Sequence, residues 1–386
     1  MKKINSLLEK LFGATQPLPA GIYQYQAPAD SSHPYRMHLR IDPQGEGILI
    51  LNARTVLHLN QTAAEYAWHL VQQTSQDDMV RTVSSRYKVD AEQVKKDYQE
   101  FSGQIETLLK TPDLDPVTYF GYERVTPYSQ KLLAPYRLDC ALTYRVPEKT
   151  SAAVAPQERV KRELSSVEWK TILQKAWAAG IPQVVFTGGE PTLREDLAEL
   201  IRAAEDLGMI SGLLTDGLRL ADKKYRQEML QSGLDHTMLL LDPGSKESWK
   251  ALEALMKEDL FVTVHITISK DLVKDISYLL ARLAKSGVRS LSISVDDTAL
   301  KDQVKHVQTL ASQHGMSLVW DVPVPYSDCH PIALELLDEK EKLTDGAGKA
   351  WLYVEPDGDV LPAQGINRVL GNLLTDDWKS IWKKSG

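Results

Sequence analysis

Cysteine is nearly absent: 386 residues contain two, Cys140 and Cys329. Thiols so far apart in the chain make neither a disulfide framework nor a CxxC redox pair. An iron–sulfur cluster needs several thiolates close together, and one chain of this composition cannot supply them. Long apolar runs are missing too. The longest fall far short of the roughly 20 residues that a membrane span requires. The opening MKKINSLLEKLFG lacks the apolar core and cleavage site of a signal peptide and reads as a short amphipathic helix. A cytoplasmic location with no membrane partner is expected. Neither sign of charge dominates, since 45 basic against 52 acidic residues leave a net −7. That balance exerts no general pull on nucleic acid, and none is expected as a partner. GxSxG, Walker and dinucleotide fingerprints are absent, and the nine histidines show no HxH, HxxxH or HExxH spacing.

What remains is ordinary globular composition, 43% apolar and 25% charged, long enough for two or three domains at about 100–200 residues each. Residues 1–34 read as a helix and a Pro-, Ala- and Ser-rich extended arm. Met37–Ile41, Ile48–Leu51 and Val56–Leu59 are strand candidates separated by turn residues, which suits an antiparallel meander. Asn60, then Asp77 or Asp78, then Asp90 sit at helix N-cap positions, each followed by apolar residues at helical spacing. Residues 35–110 thus read as a compact winged-helix-like module. A Pro- and Tyr-rich linker occupies 111–135.

From 136 to 325 strands alternate with amphipathic helices. The strand candidates are Leu138–Tyr144, Gln183–Phe186, Ile210–Leu214, Thr237–Leu241, Val262–Ile268, Ser290–Val295 and Ser317–Val322. Such alternation predicts an α/β domain with a parallel sheet, either doubly wound or curled toward a barrel. Residues 326–386 change character. Leu352–Glu355, a Pro-Asp-Gly turn and Asp359–Leu361 predict a hairpin, and Asp376–Lys383 a closing helix with Trp378 and Trp382 on one face.

Chemistry concentrates at VVFTGGEPTLREDL, residues 184–197. An apolar strand ends in Gly188-Gly189, where a ligand can approach backbone without meeting a Cβ. Glu190 brings a carboxylate to the C-terminal rim of the sheet, where α/β folds bind ligands. Pro191 suits the start of a helix at about Thr192. Cys329-His330 has no second pair with which to hold a metal, and Pro356-Asp357-Gly358-Asp359 reads as a hairpin turn rather than a calcium loop. No metal site is expected.

TGGEPTLR resembles the motif of the radical S-adenosylmethionine (SAM) enzymes, Leu213–Gly217 resembles their strand-end TNG, and Leu240-Leu241-Asp242 their SLD. The resemblance implies a partial (βα)6 barrel across 136–325, with Gly188, Gly189, Glu190, Pro191, Thr215 and Asp216 as the SAM-binding set. HLNQTAAEYAWHL, residues 58–70, is similar to the peptide-binding protein of pyrroloquinoline quinone biosynthesis. That likeness implies a leader or precursor peptide as partner. It would bind by strand addition at Val56, Leu57, His58 and Leu59, with Lys95 and Lys96 on a neighbouring helix. WLYVEPDGDVLPAQG resembles the SPASM-type extension of peptide-modifying members.

The departures are equally specific. Val146, Thr150 and Ala153 stand where the family carries CxxxCxxC, and Pro362-Ala363 where it carries a later Pro-Cys. None of these side chains is a good ligand for iron in a sulfide cluster, so no iron–sulfur cluster and no catalytic residue are expected. The combination points to a cluster-less protein that binds a peptide and serves as scaffold or partner subunit in peptide modification, alongside a cluster-containing radical SAM paralogue. Two alternatives stay open: an enzyme using weakly bound SAM or another small ligand for non-radical chemistry, and a cysteine-substituted form of an active peptide maturase.

Overall fold

The computed structural model describes residues 18–28, 35–53, 55–111, 132–148, 155–319 and 346–385. They fall into two compact units, Met1–Val125 and Thr126–Gly386. The expected N-terminal amphipathic helix, Thr150, Ala153 and Cys329-His330 lie outside the described residues.

The first unit is an antiparallel meander followed by three helices. Strands β1 (Gly21–Gln26), β2 (Arg36–Ile41), β3 (Gly47–Leu51) and β4 (Thr55–Leu59) run in sequential order. The sequence placed residues 21–26 in an extended arm; they instead pair with β2 from Gly21↔Ile41 to Gln26↔Arg36. Alternating aromatics explain the pairing. The Tyr23 ring meets Trp68 edge-on at 6.2 Å, and Tyr25 lies 5.7 Å from Tyr35. The sheet is therefore one strand wider than the winged-helix-like reading allowed. Helices α1 (Gln61–Val71), α2 (Gln76–Tyr87) and α3 (Ala91–Lys110) follow.

Asn60 and Asp90 cap α1 and α3, accepting from the Ala63 amide and from the Glu92 and Gln93 amides. Ser75, not Asp77 or Asp78, caps α2. Its hydroxyl accepts from the Asp78 amide and donates to the Asp78 carboxylate, so the aspartate falls inside the first turn. Leu39, Leu49, Leu57 and Leu59 share one apolar cluster with Ala64 and Ala67 of α1 and Ile105 and Leu108 of α3.

The second unit is built on β5 (Arg137–Thr143), β6 (Gln183–Gly188), β7 (Ile210–Thr215), β8 (His236–Leu240), β9 (Phe261–Ile268), β10 (Ser290–Val295) and β11 (Ser317–Leu318). Between them run α4 (Ser166–Ala178), α5 (Leu197–Asp206), α6 (Lys223–Gln231), α7 (Lys246–Leu255), α8 (Lys270–Lys285) and α9 (Lys301–Gln313). These strands are parallel and sit side by side in chain order. That order settles what the pattern left open. A doubly wound sheet reverses direction at a switch point, whereas successive right-handed crossovers stepping one way leave every helix on one face.

The two faces differ accordingly. Leu138, Phe186, Leu213, Leu239, Val264 and Leu291 join Trp169, Leu200, Leu252 and Leu280 in one helix-side core. The opposite face carries Val185, Leu214 and Met238, then a hydroxyl ladder. There the two ring nitrogens of His265 lie 3.0 Å from the Ser292 and Ser294 hydroxyls.

The chain closes on β12 (Trp351–Val354), β13 (Asp359–Leu361) and β14 (Gly371–Asn372), followed by α10 (Trp378–Ser385). The expected hairpin is present, and β12 pairs in parallel with β5, extending the main sheet. Trp378 and Trp382 stack at 5.7 Å. Among the described residues, no helix is long and apolar enough to cross a membrane.

Candidate functional site

The ends of β6 and β7 bring Gly188, Gly189, Glu190, Pro191, Thr215 and Asp216 together. The helix expected at about Thr192 is a single 3-10 turn, Pro191–Leu193, and α5 begins only at Leu197. Glu190 caps that turn. Its Oε1 accepts from the Thr192 amide at 2.9 Å, the Thr192 hydroxyl at 2.6 Å and the Thr215 hydroxyl at 2.7 Å. Its Oε2 accepts from the Asp216 amide at 2.8 Å. The carboxylate is thus a cross-tie between two strand ends as well as a rim charge.

Electrostatics at this corner oppose ionisation. Burial, then the neighbouring Asp216 carboxylate, pushes the Glu190 carboxyl up to about 7. Burial likewise raises Asp216, although the Leu218 amide donates to its Oδ1 at 2.9 Å. Two adjacent carboxyls held in low dielectric share a need for a proton or another cation.

The glycines have an internal reason as well. A Cβ on Gly188 would lie 2.1 Å from the Thr143 carbonyl oxygen, and one on Gly189 would lie 2.1 Å from that of Arg145. The Gly189 amide donates to Thr143 at 2.7 Å and the Glu190 amide to Arg145 at 2.8 Å. The motif therefore seats the segment leaving β5 directly on the strand end of β6.

That segment leads to Val146. Its side chain packs against a cluster of Ala141, Tyr144, Ala155, Tyr353 and Leu361. Beside it the Tyr144 hydroxyl donates to Glu355 at 3.0 Å, and Arg159 closes an ion pair with the same carboxylate. Among the described residues, no group of three or more His, Cys, Asp or Glu side chains could hold a metal ion.

Sequence reasoning missed Tyr225 and Arg219. The Arg219 guanidinium lies 4.1 Å from the centre of the Tyr225 ring and donates to the Thr192 carbonyl. The Tyr225 hydroxyl is buried without a hydrogen-bond partner, and burial pushes it up to about 12. No motif marks either residue, because only the fold carries α6 and the turn before it to this corner.

In the first unit, Val56, Leu57, His58 and Leu59 belong to β4, one of the two edge strands of the sheet. Leu57 and Leu59 are buried, Val56 is half-buried and His58 is exposed. Lys95 and Lys96 are exposed in the second turn of α3, whereas Ile105 and Leu108, which share the β4 cluster, come from its last turns.

Comparison with known proteins agrees with both units. Residues 140–261 match the radical SAM superfamily, and residues 47–107 match coenzyme PQQ synthesis protein D (PqqD). The chain carries a radical SAM domain and a PqqD domain. It is homologous to PqqA peptide cyclases. The Streptomyces rochei protein is 28% identical over 65% of this chain and 76% of its own length. That of Methylobacterium sp. (strain 4-46) is 27% identical over 68% and 76%. In fold, this radical SAM and PqqD chain is similar to Streptococcus suis SuiB bound to S-adenosylmethionine, with a TM-score of 0.57 at 16% identity, covering 91% of this chain and 87% of that one. SuiB bound to precursor peptide SuiA also has a TM-score of 0.57, at 15% identity over 89% and 86%.

Proposed function

We propose that this chain is a peptide-binding protein that works without an iron–sulfur cluster, as scaffold or partner subunit in the modification of a precursor peptide. The observation that carries the reading is Val146. It occupies the first cluster position of the resembled motif and spends its side chain on an apolar cluster with Tyr144, Tyr353 and Leu361. Thr150 and Ala153 complete a donor set with no thiolate. The cluster does not fit these residues, and they support no radical step.

The peptide side of the reading rests on β4. Its outer edge pairs with no other strand among the described residues. Unpaired amides and carbonyls on an edge strand are a template for an extended peptide. The relatives point to the class of partner: PqqA peptide cyclases, and SuiB bound to precursor peptide SuiA. A cluster-containing paralogue would then provide the chemistry.

The paired carboxyls of Glu190 and Asp216 favour a second reading, in which the site holds a small cationic ligand such as SAM through its amino group. SAM would supply an activated methyl group there, while Glu190 and Asp216 bind and orient the ammonium.

The first reading is tested at His58, whose exposed side chain can be replaced without opening the core. His58→Pro alters the edge strand. A variant that keeps the wild-type melting temperature should bind a cognate leader peptide about fivefold more weakly, since one lost backbone hydrogen bond is worth about 1 kcal/mol. Unchanged affinity would place the peptide elsewhere.

A further inference from the structure

A cleft of about 790 Å³ opens beside the ends of β8 and β9, bounded by α7 and α8. Its volume lies within the range of small-ligand and side-chain pockets, about 300–1,000 Å³. Leu241 and Leu279 give it an apolar floor, and both are buried. Tyr278, 72% exposed, stands at its rim. Asp242, Asp271 and Asp275 bring carboxylates to the lining, against Arg282 as the one lining cation among the described residues.

The pairing of these charges is informative. Arg282 spends its guanidinium on the face of Trp249, 3.5 Å from the ring centre. Asp271 pairs with an exposed Lys274 at 3.5 Å. Asp242 accepts an amide from Gly244, and neither it nor Asp275 has an ion-pair partner among the described residues. The cleft therefore holds uncompensated negative charge over an apolar floor. Its wall already carries one guanidinium stacked on an aromatic ring, a contact that favours cations.

We propose that this cleft binds a short basic segment of a polypeptide, with one Lys or Arg side chain at Asp242 and Asp275 and an adjacent aliphatic side chain on Leu241 and Leu279. Charge complementarity selects the basic residue. The apolar floor selects a peptide over a simple polyamine. The site lies in the radical SAM unit and makes no use of Glu190 or of β4, so it stands or falls apart from the strand-addition reading.

The test uses the full-length protein and three probes: Ac-Leu-Arg-Leu-Lys-NH2, its acidic counterpart Ac-Leu-Glu-Leu-Glu-NH2, and spermidine. Calorimetry with the basic peptide should give saturable binding that weakens as salt is raised. The acidic peptide and spermidine should each bind about tenfold more weakly or not at all. Asp242→Asn with Asp275→Asn should weaken the basic peptide about tenfold, and His58→Pro should leave it unchanged. Both aspartates are exposed, so the double variant is expected to fold, which circular dichroism checks. Equal binding of the acidic peptide or of spermidine would overturn the proposal. So would unchanged affinity in the folded double variant, or no binding up to about 5 mM peptide.

Discussion

Asp216 donates its amide to Glu190 at 2.8 Å while its own carboxyl stands beside the same group and raises its proton affinity. One residue therefore both anchors and repels the other. The resembled motif has asparagine at this position, which keeps the anchor and drops the charge.

Stability should follow pH accordingly. Glu190 is raised from 4.5 to about 7 in the fold, so its contribution is fully present below 4.5 and lost as pH climbs through about 7. Asp216→Asn removes the neighbouring charge, and the Asn oxygen can still accept from Leu218. The variant should gain about 1 kcal/mol at pH 8 and almost nothing near pH 4. Thermal melts at both values check this. Equal gains at both would mean the acid pair is not the source.

Gly189→Ala should be costly. The new methyl carbon would sit 2.1 Å from the Arg145 carbonyl oxygen, and backbone yields less readily than a side chain. A loss of about 2–3 kcal/mol is expected in urea denaturation, in line with overpacked cores. A loss below about 0.5 kcal/mol would mean that the segment leaving β5 is free to lift away.

The purified protein should be colourless. Anaerobic reconstitution with iron and sulfide should leave no charge-transfer band near about 400 nm and far fewer than about four tightly bound irons per chain. A full complement of iron would sink the cluster-less reading.

Local signals in the sequence were legible where one residue's neighbours decide the outcome. Asn60 and Asp90 cap helices because their side chains reach amides two or three residues on, and a strand ending in Gly-Gly-Glu marks its own turn. Strand β1 escaped notice because Pro17, Pro19 and Ala27-Pro28 flank it and mask the Tyr23/Tyr25 alternation. The Glu190 tether escaped for another reason. Its hydroxyl and amide partners at Thr215 and Asp216 lie at the end of the next strand, and strand order is a property of the whole sheet. The Arg159–Glu355 ion pair is more remote still. No period or motif connects residues so distant, so only packing could reveal them.

The pairing of β12 with β5 has a consequence for how the chain is made. Trp351 lies against Arg137 and Val354 against Cys140, so the first strand of the parallel sheet waits for one of the last to leave the ribosome. Until then the flank of β5 is an uncovered template, and contacts of such large sequence separation close slowly. A nascent chain stalled before residue 351 should therefore be the species most prone to stick to its neighbours, and the one most in need of a chaperone.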